Sequence, residues 1–143
     1  MTFLEALYGS QYYEITQKGG NGSAGRLNGN LFLSALIILS IFLIILVLVI
    51  ISADFKQGID HLFEKIFGYS SGKTIGKLLA IPLLAIIYFT LTKTVGSQVN
   101  YGKLTKSFLA YSDQEKQKAS MKILKPFFVV LGAFFLLALF SLF

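Results

Sequence analysis

Cysteine is absent from this sequence, histidine occurs once, at His61, and arginine once, at Arg26. Without cysteine there is no disulfide, no thiolate metal site and no thiol nucleophile. With a single histidine and no carboxylate pair set beside it by a recognisable motif, no acid–base or nucleophilic constellation can be assembled. Charge is scarce as well. Charged residues make up 14% of the chain against 55% hydrophobic ones. At a mean hydropathy of +0.69, too few polar side chains remain to clothe a water-soluble globule of this length. The composition points to an integral membrane protein. Lysine fills every basic position except Arg26, a bias that hints at an AT-rich, bacterial coding sequence.

Where charge is missing, long apolar runs appear. Leu31 to Ala53, LFLSALIILSIFLIILVLVIISA, is 23 residues without a charge. At 1.5 Å per residue it reaches roughly 34 Å, enough for a ~30 Å hydrocarbon layer. It is too long and lies too far along the chain for a cleaved signal, whose apolar core is only ~7–15 residues. Leu78 to Thr92, LLAIPLLAIIYFTLT, has 15 residues between Lys77 and Lys93. A helix over about 72–95 would still cross, because both lysines can lift their ammonium groups to the headgroups. Pro126 to Phe143 has 18 residues, with Pro126 suited to a first helical turn, and gives a third span over about 124–143. Ionisable residues, which a pore or proton relay normally needs, are missing inside these runs. Hydroxyls such as Ser34, Ser40, Thr90 and Thr92 are readily satisfied by their own helix.

The fold expected is an all-α, three-span membrane protein forming a single membrane domain over residues 1–143. Lys18, Arg26, Lys93, Lys103, Lys106, Lys116, Lys118, Lys122 and Lys125 fall on one side of such a topology, against Lys56, Lys65, Lys73 and Lys77 on the other. Positive residues are retained in the cytoplasm, so the N-terminus is expected inside and the C-terminus outside a bacterial inner membrane. Lys73, Lys77, Lys93, Lys122 and Lys125 read as membrane anchors. Nucleic acid is not expected as a partner, since the basic-and-aromatic interleaving of a recognition module is missing.

Amphipathic surface helices are expected before and between the spans, at about 2–15, 55–67 and 113–124. The first opens with Thr2 and Glu5 spaced as a capping box and carries Phe3, Leu4, Leu7, Tyr8, Tyr12 and Ile15 at helical intervals, a stripe that reads as lying on the membrane, with packing against the spans or another protein as the alternative. A Gly-rich loop is expected over 18–30. In the first inter-span loop, 54–71, Phe55, Ile59, Leu62, Phe63, Ile66 and Phe67 form a stripe opposite Asp60, His61, Glu64 and Lys65, a face that would meet lipid or a partner protein. The basic second loop, 96–123, holds a second capping box, Ser112 with Glu115, whose helix should run, kinked, into the last span.

Two stretches imitate nucleotide motifs. GYSSGKT, Gly68 to Thr74, lacks the fourth residue that a phosphate loop needs between its glycines, and Phe67 stands where the outer glycine belongs. GNGSAG, Gly20 to Gly25, matches the dinucleotide fingerprint formally, but a helical pattern precedes it and a membrane span follows, with no βαβ unit. No nucleotide, cofactor or metal is expected. Asp60, His61 and Glu64 read as a solvated helical face rather than a ligand set.

Gly68, Gly72, Gly76 and Ala80 recur every four residues, the small-xxx-small pattern that lets helix backbones approach in a bilayer, and Pro82 favours a bend just beyond them. This stripe is the expected helix-packing interface. The functional expectation is a non-catalytic subunit serving scaffolding, assembly or anchoring in a larger membrane complex. Hosts of that kind include a respiratory or photosynthetic complex, a secretion apparatus or a motility motor. Its expected partners are other transmembrane subunits and membrane lipids. The alternative is a small homo-oligomeric channel or transporter whose pore Thr90 and Thr92 would line.

Overall fold

A computed structural model describes residues 1–68 and 72–140, backbone only at 67, 72–79 and 140. The described residues are 86% helical and contain no strand.

Helix α1, Phe3–Gln17, starts from the capping box: the Glu5 N–H donates to Thr2 Oγ1 at 3.2 Å, and the Thr2 N–H donates to Glu5 Oε2 at 2.6 Å. It stops in a Schellman turn. Gly19 takes φ +74°, its N–H donates to Thr16 O at 3.0 Å, and the Gly20 N–H reaches back to Ile15 O at 2.9 Å.

Helix α2, Ala24–Ile51, begins well before the apolar run does, so only residues 18–23 remain of the loop expected over 18–30. Glycine weakens a helix by ~1 kcal/mol per residue, and packing overrides that cost here. Gly25 and Gly29 lie one turn apart on a face pressed against α1. A Cβ at Gly29 would stand 2.5 Å from the Tyr8 ring, and one at Gly25 would stand 2.9 Å from the backbone nitrogen of Tyr12. Only glycine admits this approach. The formal dinucleotide fingerprint therefore lies between two helices, not after a strand.

Ser52 breaks the chain with φ −123° and ψ 111°, and its Oγ caps helix α3, Ala53–Phe67, by accepting from the Phe55 N–H at 3.2 Å. Helix α4, Gly72–Lys93, contains Pro82. A turn through Gly96 follows, then helix α5, Gln98–Leu109, whose axis is 71° from that of Ala80–Lys93. Ser112 and Glu115 form the second capping box and open α6, Asp113–Gln117, which leads through Lys118 into α7, Ala119–Phe140. The basic stretch 96–123 is thus mostly helix. Pro126 sits inside α7 rather than in its first turn, because α7 already starts at Ala119.

Among the described residues two helical stretches, Ala24–Ile51 and Asp113–Leu139, are long and apolar enough to cross a membrane, and the bent pair Ala80–Lys93 with Gln98–Leu109 would raise the number to three.

At one end of these long helices α1, α5 and the starts of α2 and α7 pack into a compact head. Its core is Ala6, Leu7, Leu33, Leu91, Phe108, Ala119 and Ile123. Ala6, Leu7, Tyr8 and Gly9 are four consecutive buried residues, which a helix resting on a membrane surface could not show. α1 is therefore not the surface helix expected from its stripe: α2, α5 and α7 enclose it. Phe108 is 1% exposed and fills the space left by Gly9, where a Cβ would come within 2.1 Å of the ring. Burying such a side chain contributes about 2–3 kcal/mol.

Candidate functional site

The most constrained polar arrangement lies where the head meets the long helices. Asn30, 1% exposed on α2, accepts from the Tyr8 hydroxyl through Oδ1 at 2.6 Å. Its Nδ2 donates to Thr92 Oγ1 on α4 at 3.2 Å and, at 3.5 Å, to the carbonyl of Gly96. The Thr92 hydroxyl donates in turn to Tyr88 O at 2.8 Å, and one turn along α2 Ser34 donates to the Asn30 carbonyl at 2.7 Å. One amide thereby joins α1, α2, α4 and the turn into α5. A Cβ at Gly96 would lie 1.8 Å from Asn30 Oδ1, so the turn needs glycine to reach the amide. A buried amide is costly unless bonded, and among the described residues no buried side-chain nitrogen or oxygen lacks a partner.

Beside this junction the Tyr101 ring packs edge-on to Tyr8, centroids 5.9 Å apart, and its hydroxyl donates to Gly22 O, tying α5 to the start of α2. Burial pushes the phenol of Tyr8 up to about 12. Burial, helped by the neighbouring Tyr12 and opposed by Arg26, does the same for Tyr101. Both phenols stay neutral donors at physiological pH, a property suited to holding helices together rather than to proton transfer. At the head's far side Tyr111 donates to Glu5 Oε2 at 3.1 Å. The Thr2 backbone N–H, then Tyr111 and the Thr2 hydroxyl, hold the Glu5 carboxyl below its ordinary 4.5.

An open cleft of about 490 Å³ separates α1 from α6 and the start of α7. Lys116 stands over the Tyr13 ring at 5.7 Å and pairs with Asp113 at 3.5 Å along its wall. The pair is exposed on the Asp113 side and adds little stability.

The residues singled out in the sequence fall elsewhere. Gly68 is the C-cap of α3 with φ +64° and open space around it, so the four-residue stripe starts in α4 no earlier than Gly72. The surroundings of Gly72, Lys73, Gly76 and Lys77 lie outside the described residues, as does the GYSSGKT stretch through 69–71. Ala80 is half-buried and Pro82 exposed. Lys93, Lys122 and Lys125 are exposed, and Lys122 donates to the Met1 carbonyl. On α3, Phe55, Ile59 and Phe63 are half-buried while Leu62 and Ile66 are 56% and 64% exposed; the Phe67 side chain lies outside the described residues. His61 is exposed, and no group of three or more potential metal ligands converges among the described residues. Thr90 bonds its own helix at Ile86 O, 2.8 Å away, whereas Thr92 belongs to the Asn30 junction.

Sequence reasoning missed Asn30, Gly25, Gly29 and Gly96. A signal for two of them was present: Gly25 and Gly29 obey the same four-residue rule that was applied to Gly72 and Gly76. Compared with protein families, curated proteins and solved structures, the chain matches none of them.

Proposed function

We propose that this chain is a non-catalytic, three-span subunit of a larger complex in a bacterial inner membrane, with the head cytoplasmic and the end of α7 on the opposite side. Its work is scaffolding or anchoring. One observation carries the reading: in each of Ala24–Ile51 and Asp113–Leu139 only 6% of the apolar window is buried inside the chain. The head is stapled by a four-way amide and a filled aromatic core, while the long helices beyond it keep open flanks. Ile44 and Ile51 on α2, and Phe128, Phe135 and Leu136 on α7, are all more than half exposed. Apolar flanks left open in this way are the surface that transmembrane helices present to lipid and to neighbouring helices. The basic residues Lys93, Lys103, Lys106, Lys118, Lys122 and Lys125 on the head side support a cytoplasmic head. Thr92, tied to Asn30, is not available to line a pore.

The test is mild-detergent extraction of a tagged full-length chain from its native membrane, followed by native mass spectrometry. The expected result is an assembly of fixed stoichiometry with unrelated membrane polypeptides. A uniform assembly of this chain alone that conducts ions in planar bilayers overturns the proposal in favour of a channel.

A further inference from the structure

We infer that α3 lies flat in the membrane–water interface at the face opposite the head, its Phe55–Ile59–Leu62–Ile66 stripe seated in the acyl boundary of the bilayer. The inference rests on the reading of α2 and α4 as spans.

Both ends of α3 are tied to one membrane face. α2 leaves the head at Asn30 and ends at Ile51, with Ser52 alone between it and α3; α4 starts at Gly72 and returns to the head, where Thr92 meets Asn30 again. A 15-residue helix, about 22 Å long, held at both ends by helices emerging from the same bilayer face has its axis kept near that plane. The Ser52 hinge, extended in backbone and capping both helices, supplies the change of direction: its N–H closes α2 on Leu48 O at 3.0 Å and its Oγ opens α3.

The side chains match that placement. The apolar positions recur at helical spacing on one face, and Asp54, Lys56, Asp60, His61, Glu64 and Lys65 are all exposed. α3 packs substantially, among the described residues, only on α2, the helix it follows. At the junction the stripe continues the lipid-ready surface of α2, where Ile50 is 45% and Ile51 77% exposed. Three carboxylates and two lysines leave the polar face near neutral. Attraction to anionic lipid is therefore not the driving force, and burial of the apolar face ~5–10 Å into the headgroup–acyl boundary is. The occupant of this face is a bilayer of any headgroup charge.

The chain has no tryptophan, so one introduced indole reports alone. Leu62→Trp, Lys65→Trp and Ile44→Trp would each be made in the full-length protein and reconstituted into phosphatidylcholine vesicles with bromines at graded acyl depths. Shallow bromines should quench Leu62→Trp at least about threefold more than Lys65→Trp, with no change on adding about 0.5 M salt. Equal, weak quenching of Leu62→Trp and Lys65→Trp alongside strong quenching of Ile44→Trp sinks the inference and leaves α2 as a span. A blue-shifted but unquenched Leu62→Trp means that protein covers the stripe, and also sinks it. If Ile44→Trp escapes deep bromines too, the spanning reading falls with it.

Discussion

The Tyr8 hydroxyl and Asn30 Oδ1 lie 2.6 Å apart where α1 crosses α2, with both residues sealed from solvent. Removing one partner strands the other. Tyr8→Phe is expected to cost about 1 kcal/mol and Asn30→Ala about 1–3 kcal/mol, since the amide also serves Thr92 and Gly96. The double variant Tyr8→Phe/Asn30→Leu should cost less than the sum by ~0.5 kcal/mol or more. Denaturant unfolding in detergent micelles reads all three; strict additivity would refute the coupling.

Glycine substitutions should divide sharply by site. Gly29→Ala drives a methyl into the Tyr8 ring and Gly25→Ala into α1 backbone, so each is expected to open the head, costing about 1–3 kcal/mol. Gly102→Ala and Gly132→Ala meet nothing within 4 Å and are helical, so they should stabilise by about 0.4–1 kcal/mol. Thermal melting of the four variants side by side checks the contrast.

Gly68 ends α3 with φ +64° and ψ −155° in open space, a backbone region essentially reserved for glycine. Gly68→Ala should therefore cost about 1–3 kcal/mol through strain alone. Gly58→Ala, inside α3 and facing nothing within 4 Å, should raise stability instead. Far-UV circular dichroism through a melt distinguishes them.

If the start of α4 is a close-packing face, Gly72→Leu and Gly76→Leu should lower the abundance of the assembled complex while Lys73→Ala leaves it unchanged. Native gels of membranes carrying each variant provide the measurement. Loss of nucleotide binding on removing Lys73, with assembly intact after Gly72→Leu, would reverse the reading.

Alkaline pH should loosen the head. Tyr8 and Tyr101 are held up to about 12 when folded against an ordinary 10.0. Unfolded phenols ionise first, so their stability contribution is full below pH 10 and is lost as pH rises from 10 towards 12, on the order of 2–3 kcal/mol for each buried ring. Phenolate absorbance should thus appear for these two rings only as the head unfolds. Tyr8→Phe should flatten that part of the stability curve.

Some of this molecule was legible because its causes are local. The capping boxes at Thr2–Glu5 and Ser112–Glu115 stand as the spacing predicts, and the uncharged runs lie in long helices. What escaped depends on partners distant in sequence. An apolar stripe has the same period whether lipid or protein covers it, so α1 read as a surface helix although α5 and α7 enclose it. Glycines at 25 and 29 read as loop because propensity is a local quantity, while the ring that demands them belongs to Tyr8. The Asn30 junction joins residues 62 positions apart, beyond the reach of any local motif.

The enclosure of α1 also sets a timetable for biogenesis. Its buried face, Ala6 to Gly9, is closed in part by Ala119 and Ile123 at the start of α7. Roughly a hundred residues separate the two, so at ~5–20 residues per second α1 leaves the ribosome about 5–20 s before its last neighbour exists. Through that interval the nascent chain carries an uncovered apolar helix, and the head closes only once the start of α7 has emerged.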